Sequence, residues 1–327
     1  MSISQNFYKH ITQIKKGGML VIIKKLKSLI NLFLQIPIYI ISVPLIIIIR
    51  LIKPWYLIRW KRVNSSRIGQ FAANVELYCC ERDAGINTPS QNYIDLFYLR
   101  KIVSNRQLEK MWRRSLIILP TWLLLPICRV NRFFCFFIPS GKEHEIGTNT
   151  NGDRDVHNSI DKFTSHINFT SEEELKGKEI LKTFGLPEDA KFICLLVRDS
   201  GYLNRHKEYE YIERWQHHNY RDGDIDKYVL AAEELANRGY YVFRMGVNVL
   251  KPLKSFNPKV IDYANSKMRS DFMDIYLSAN CFFFISSGAG IESVAIIFRR
   301  PIAYLGVPLG LTHTGSSKYL LLTKHHI

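Results

Sequence analysis

The chain has 327 residues, 47% of them hydrophobic, and a formal net charge of +16. That apolar content excludes a disordered chain and leaves room for two packed domains. The charge admits nucleic acid, an anionic membrane face or phosphorylated ligands as partners. Its distribution favours the membrane: Lys9, Lys15, Lys16, Lys24, Lys25 and Lys27 precede one apolar segment, and a second basic group between Arg50 and Arg67 follows it. No nucleic-acid partner is expected. The 6 cysteines show no C-x-x-C spacing and sit mostly in apolar runs, the pattern of reduced, buried thiols in a cytoplasmic protein.

Residues 1–27 form a basic tail. Ser28 to Ile49 is a run of 22 residues without a charge, long enough to cross a bilayer, and no small-residue cleavage site follows it. Pro37 and Pro44 interrupt the run and both flanks are basic. A kinked or re-entrant anchor with both ends cytoplasmic therefore stands beside a simple span, with a buried core helix as the third reading. The anchor is placed at residues 28–53. Ser115 to Ile127, broken by Pro120 and Pro126, is too short to span and is expected to line a core or dip into the interface.

Residues 54–169 read as a small α/β domain. Tyr56 to Val63 and Tyr93 to Leu99 suit strands; Phe71 to Arg82 and Gln107 to Leu116 suit helices. Arg67 and Gln70 fall at a strand-to-helix turn, where α/β proteins place ligands, and are candidates for a second substrate; the competing reading of Arg67 is a solvated or lipid-facing charge, which the sequence alone favours slightly. Pro139 to His166 is polar, lacks periodicity, and is expected to be a linker or long mobile loop, with the linker region drawn to residue 169.

Residues 170–327 read as a second α/β domain opening on a capping-box pattern at Ser171-Glu-Glu-Glu174. The strand Lys191 to Val197 emerges at Arg198-Asp199. Arg198 can hold a pyrophosphate with its planar fork, and Asp199 can orient it or act as a base; a mutual Arg–Asp pair closing a loop is the competing reading. Asp222-Gly-Asp-Ile-Asp226 resembles a metal motif, but helical spacing follows at once. Asp224 as N-cap with Asp226 in the first turn accounts for the acids, so no metal site is expected. Tyr240 to Arg244 is a further strand, which puts a second arginine and Gly246 at a strand's carboxyl end.

The stretch from Cys281 to Leu305 organises this domain as strand, glycine-rich turn, helix, strand. Ser286 and Ser287 can cap the helix, while Gly288 and Gly290 leave N–H donors at its positive end, a seat for phosphate. The alternative is a tight turn and close helix packing only. Glu292 in the first turn either accepts hydrogen bonds from ribose or sugar hydroxyls or compensates the dipole. Strands and helices alternate as in a doubly wound parallel sheet.

Val197-Arg-Asp199, His218-Asn-Tyr-Arg-Asp222, Glu233-Glu-Leu-Ala-Asn-Arg-Gly-Tyr240, Arg244-Met-Gly246, Phe272-Met-Asp-Ile-Tyr276 and Ser286-Ser-Gly-Ala-Gly290 through Pro301 resemble a family of bacterial glycosyltransferases of surface-polysaccharide and lipopolysaccharide biosynthesis. Arg67-Ile-Gly69 and Asn105-Arg-Gln-Leu108 look like that family's N-terminal motifs. The resemblance covers roughly residues 56 to 323. It implies a GT-B-like architecture of two Rossmann-like domains, behind an N-terminal membrane-associated helical segment. The C-terminal domain is expected to hold the nucleotide-sugar through Arg198, Arg244, Gly246, Ser286, Ser287, Gly288, Gly290 and Glu292. Arg67 and Gly69 lie on the acceptor side, and Asp199 and Gln70 are the catalytic positions. The implied enzyme is a metal-independent transferase at the cytoplasmic face of the inner membrane, needing no cofactor beyond its nucleotide-sugar and acting on a lipid-linked or polysaccharide acceptor. Two departures stand out: Gln70 occupies a position where the family pattern has His, and the chain ends soon after Leu309-Gly310, where a GT-B domain continues, the mark of a truncated or degenerate copy.

Overall fold

The computed structural model describes residues 3–147, 154–202, 216–308 and 315–324. The chain forms two compact units: Met1–Trp60 with Gln91–Asp95 and Leu119–Glu145, and Lys61–Ser90 with Leu96–Ile118 and Ile146–Ile327. This is not the expected split at residue 169, because much of the N-terminal α/β region packs into the same body as the C-terminal sheet. Leu309 and Gly310 lie outside the described residues.

The first unit is built on α1 (Ile3–Ile52). One window of it, Gln35–Ile52, is long and apolar enough to cross a membrane by length and composition. The helix continues through Pro37 and Pro44, the expected interruptions, and breaks instead at Gly18, whose φ of 54° and ψ of −148° suit glycine alone. The apolar stretch from Ser115 to Ile127 is not one element: it ends one helix, forms a short strand, turns at Pro120 and opens α4 (Thr121–Phe134). Ser42, Ile46 and Ile49 are buried on α1 at helical spacing and α4 packs along it, burying Leu124, Ile127, Cys128 and Asn131. Arg50 ties the pair, donating to Asn131 Oδ1 at 2.9 Å and to the Asn131 carbonyl at 3.0 Å. Residues 139–145 are not a mobile linker. Pro139–His144 is a 3-10 turn, and the His144 ring is buried, bonded to the Ile58 carbonyl at 2.6 Å and stacked on Trp60 at 5.3 Å.

β1 (Leu57–Val63), β2 (Tyr93–Leu99) and β3 (Ile117–Ile118) form a three-stranded sheet in that order. β2 and β3 are parallel, pairing Leu96 with Ile117. In the larger unit, α2 (Ile68–Asp83) and α3 (Arg106–Ser115) follow the first two strands. Asn105 caps α3 by accepting from Leu108 N, as the motif Asn105 to Leu108 requires. Phe71, Val75, Leu108, Met111 and Trp112 share an apolar core with Ile275, Val294 and Ile297 from the C-terminal half. This shared core is why the N-terminal region has no separate domain in this unit.

α5 (Ser159–Lys162) is capped by Asp155, whose carboxylate accepts from Ser159 N at 2.7 Å and Ile160 N at 2.9 Å; this part of the expected linker is also structured. α6 (Ser171–Thr183) starts one residue earlier in its capping than the sequence pattern suggests, with Thr170 as N-cap and Glu173 closing the box. There follow β4 (Phe192–Leu196), α7 (Val229–Asn237), β5 (Tyr241–Arg244), β6 (Val260–Ile261), α8 (Asp271–Asn280), β7 (Phe283–Ser286), α9 (Glu292–Ile297), β8 (Ile302–Val307) and β9 (Tyr319–Thr323). The six strands run in the order β6-β5-β4-β7-β8-β9, with all neighbours parallel. Counted from β4 that is the doubly wound order 3-2-1-4-5-6. The edge strand β9 went unread in the sequence. Asp224 accepts from Asp226 N and is paired with Lys251, as is Asp226, so these acids cap and brace the turn before α7.

Candidate functional site at the sheet switch point

In a doubly wound sheet the connections leave in opposite directions from the two central strands, which opens a crevice at their carboxyl ends. Here those strands are β4 and β7, joined where the Arg198 N–H donates to Ser287 Oγ at 2.8 Å and Ser287 N to the Leu196 carbonyl at 3.1 Å. A cavity of about 510 Å³ opens there within the larger unit. Arg67, Gly69 and Gln70, Arg198 and Asp199, Gly246, and Gly288, Gly290 and Glu292 all line it.

The N-terminal motif reaches this cavity because two backbones come together without side chains. A Cβ on Gly69 would meet Gly290 Cα at 3.1 Å, and one on Gly290 would meet Gly69 N at 3.2 Å. Gln70 lies in the first turns of α2 rather than in a loop before it.

Two of the glycine-turn amides are engaged within the loop. Gly288, at φ 89°, donates its N–H to Ser286 Oγ at 3.0 Å, and Ala289 N donates to Glu292 Oε2 at 2.8 Å. Ser286 Oγ in turn donates to the Glu292 carboxylate. Of the two expected donors, Gly288 N is therefore taken by the loop's own side chain while Gly290 N has no such bond among the described residues, and Ser286 and Ser287, both buried, brace the turn from beneath. Burial pushes the Glu292 carboxyl up to about 7, against the pull of its Ser286 and Ala289 hydrogen bonds.

Two further assignments change. Arg244 is only 1% exposed, does not line the cavity, and spends its guanidinium on the Lys251 carbonyl at 3.1 Å and Asp262 at 3.4 Å. Asp199 does not pair with Arg198; its two oxygens accept from Gly201 N and Leu250 N, each at 2.9 Å, so it ties loops together instead of standing ready as a base. Arg198 pairs with Asp222 and donates to the His218 carbonyl at 3.2 Å.

The sequence reading missed Arg221, Arg269 and Asp274, which also line the cavity. Arg221 donates to the Gly288 carbonyl at 3.1 Å, reaching the turn itself. Arg269 pairs with Asp274 at 2.7 Å, and Tyr263 donates to the same carboxylate at 2.9 Å; burial raises that carboxyl to about 6. Arg221 and Asp274 both sit inside motifs that carry the family resemblance, which was the available signal. One trio with metal-ligand potential, Glu76, Cys80 and His166, lies outside the cavity lining. Arg299 Nη2 already sits 2.6 Å from Glu76 and 3.6 Å from Cys80, so a guanidinium fills the place a cation would take.

No family model matches this sequence, and no curated protein matches it. Among solved structures the chain is similar to a glycosyl transferase family 9 protein from Veillonella parvula (11% identity, 78% of this chain and 84% of that one, TM-score 0.46). It is also similar to the E. coli ADP-heptose lipopolysaccharide heptosyltransferase II (10% identity, 80% and 89%, TM-score 0.45). A third likeness is to the E. coli heptosyltransferase WaaC with ADP-2-deoxy-2-fluoro heptose (12% identity, 80% and 92%, TM-score 0.35). At this level of similarity no function carries across.

Proposed function

We propose that the cavity binds a nucleotide-sugar and that the protein transfers the sugar to a lipid-linked or polysaccharide acceptor, working at the cytoplasmic face of a membrane. The observation that carries this reading is the gathering of Arg67, Arg198, Arg221 and Arg269 around one cavity at the sheet's switch point. Departure of a sugar leaves a diphosphate, whose developing charge needs fixed donors in a site with little water. With the Gly288 and Ala289 amides engaged internally, most of that work falls to guanidinium groups, Arg198 and Arg221 foremost because both are anchored at the turn-bearing ends of the strands. Glu292, poised near neutrality, can exchange hydrogen bonds with a ribose or sugar hydroxyl. No metal and no cofactor besides the sugar nucleotide enters this mechanism.

A second reading is a membrane-tethered protein that binds sugar nucleotide without turning it over. It is favoured by the two expected catalytic positions: Asp199 is engaged by backbone amides, and the Gln70 side chain cannot take a proton. One experiment separates the two. The full chain in detergent is titrated with UDP-, GDP-, CMP- and ADP-sugars by thermal shift, and nucleoside diphosphate release is then followed with a lipid-linked acceptor. Stabilisation with release supports transfer, stabilisation without release supports the binding protein, and no stabilisation by any nucleotide refutes both.

A further inference from the structure

The first unit carries a broad exposed apolar face on α1. Ile40, Ile41 and Leu51 are 65–66% exposed, and Ile47 and Ile48 face outward beside them, while Ser42, Ile46 and Ile49 lie against α4. On α4 the exposed residues include the cations Arg129 and Arg132, with Trp122 and Phe133 near its two ends. Phe136, Phe137 and Ile138 follow α4, and Trp55 and Tyr56 follow α1, all exposed. Together the described faces of the pair are two-sided: aliphatic on the α1 side, cationic and aromatic on the α4 side.

One contact bears on how such a pair meets a bilayer. Arg129 Nη1 donates to the Tyr39 hydroxyl at 2.5 Å. Tyr39 lies at the middle of the uncharged run Ser28 to Ile49, eleven residues from Arg50, or about 16 Å along a helix. If α1 crossed the bilayer over that run or over Gln35–Ile52, the Arg129 guanidinium would lie inside the hydrocarbon, where a charge is disfavoured. Laid flat, the same pair buries the outward isoleucines of α1 among acyl chains and leaves Arg129 to reach lipid phosphates. Arg132, already paired with Glu145 at 2.6 Å, sits one turn further along. Trp55, Trp122 and the phenylalanines then fall at headgroup level, where aromatic rings are favoured.

We infer that α1 and α4 lie together in the plane of an anionic bilayer as a monotopic pair, so that α1 does not cross it. The inference rests on the membrane location proposed above and adds the geometry of attachment. The chain is expressed in bacterial cells carrying Ser4→Cys, and spheroplasts are treated with a membrane-impermeant maleimide before and after lysis. The purified chain is also floated with phosphatidylethanolamine vesicles with and without phosphatidylglycerol. Expected are membrane-bound protein, no labelling of Ser4→Cys until lysis, and partition onto phosphatidylglycerol vesicles that falls roughly fivefold at low salt in Arg129→Ala and is kept in Arg129→Lys. Circular dichroism of both variants checks that the helices persist. Labelling in intact spheroplasts overturns the in-plane geometry while leaving membrane attachment standing, as does partition indifferent to Arg129→Ala. A chain absent from the membrane fraction and dimeric in solution instead removes both, and assigns the apolar face to a second copy.

Discussion

Arg299 is the sharpest test of how the larger unit is held together. It follows α9 in the left-handed region, at φ 60°, where an L-residue is normally disfavoured. From there it donates to Glu76 on α2 at 2.6 Å, and to the carbonyls of Phe163 at 2.8 Å and Thr164 at 2.9 Å. Glu76 is wholly excluded from water, so Arg299→Ala leaves a buried carboxylate with His166 as its remaining cation. Removing one partner of a buried pair costs about 3–5 kcal/mol, and the surviving His166 places this case near the lower end. Alanine keeps the left-handed strain; Arg299→Gly recovers about 1 kcal/mol of it. Against a total stability of about 5–15 kcal/mol, Arg299→Ala is a severe loss. The assay is chemical denaturation of the full chain for Arg299→Ala, Glu76→Gln and the double variant. The double variant should be less damaged than the sum of the singles by about 2 kcal/mol. Additive losses, or an Arg299→Ala chain within about 0.5 kcal/mol of the native one, refute the clamp.

His166 extends the same cluster to pH. Hydrogen bonds with Cys80 and Glu76 raise it to about 10, above the unfolded value of about 6.5, so its contribution is fully present below pH 6.5 and is lost as pH rises toward 10; denaturation midpoints across that window should fall, and His166→Gln should flatten the fall. Glu292 acquires its charge as pH rises through about 7, so affinity for the anionic ADP measured by calorimetry should weaken across neutrality; a pH dependence unchanged in Glu292→Gln rejects its place in the nucleotide cavity. A Cβ on Gly177 would lie 2.1 Å from Tyr276 Cζ, so Gly177→Ala should destabilise by about 2–3 kcal/mol despite the better helix propensity of alanine. Tyr276→Leu in the same chain should restore part of the loss, and a stabilised Gly177→Ala contradicts the packing.

Much of this fold is legible because a parallel sheet declares itself in short apolar runs. Phe192–Leu196 and Phe283–Ser286 lie within the stretches that periodicity marks, and the turn residues bound them closely. What stays hidden depends on pairing at a distance. Nothing local says that Arg198 chooses Asp222 over its neighbour Asp199, or that Arg244 is consumed by the Lys251 carbonyl and Asp262. The Arg299-Arg300 pair suits the end of α9 electrostatically, yet Arg299 is turned inward to a glutamate 223 residues away in sequence. The polar stretch from Pro139 to His166 reads as a linker because its apolar content is low. The order of its described residues comes from caps and buried rings, Asp155 on α5 and His144 against Trp60, which composition does not report.

The partly engaged glycine turn shifts the proposed anion contacts towards side chains. A helix terminus with open amides binds any phosphate, because its donors are backbone and survive most substitutions. Here Ser286 and Glu292 hold the Gly288 and Ala289 amides, and α9 is only 6 residues long, so its dipole adds little. The proposed anion contacts are then side chains set on separate segments: Arg67 before α2, Arg198 after β4, Arg221 beside the turn and Arg269 before α8. Such a site is selective in a way a backbone cradle is not, since each guanidinium is aimed by its own partner, Arg198 by Asp222 and Arg221 by the Gly288 carbonyl. It is also fragile. Arg198→Lys keeps the charge but loses the planar fork, and if the diphosphate is held as proposed its affinity drops by roughly tenfold or more, the worth of one charge-assisted bond. If affinity is kept, the arginines serve only the fold and the ligand lies elsewhere.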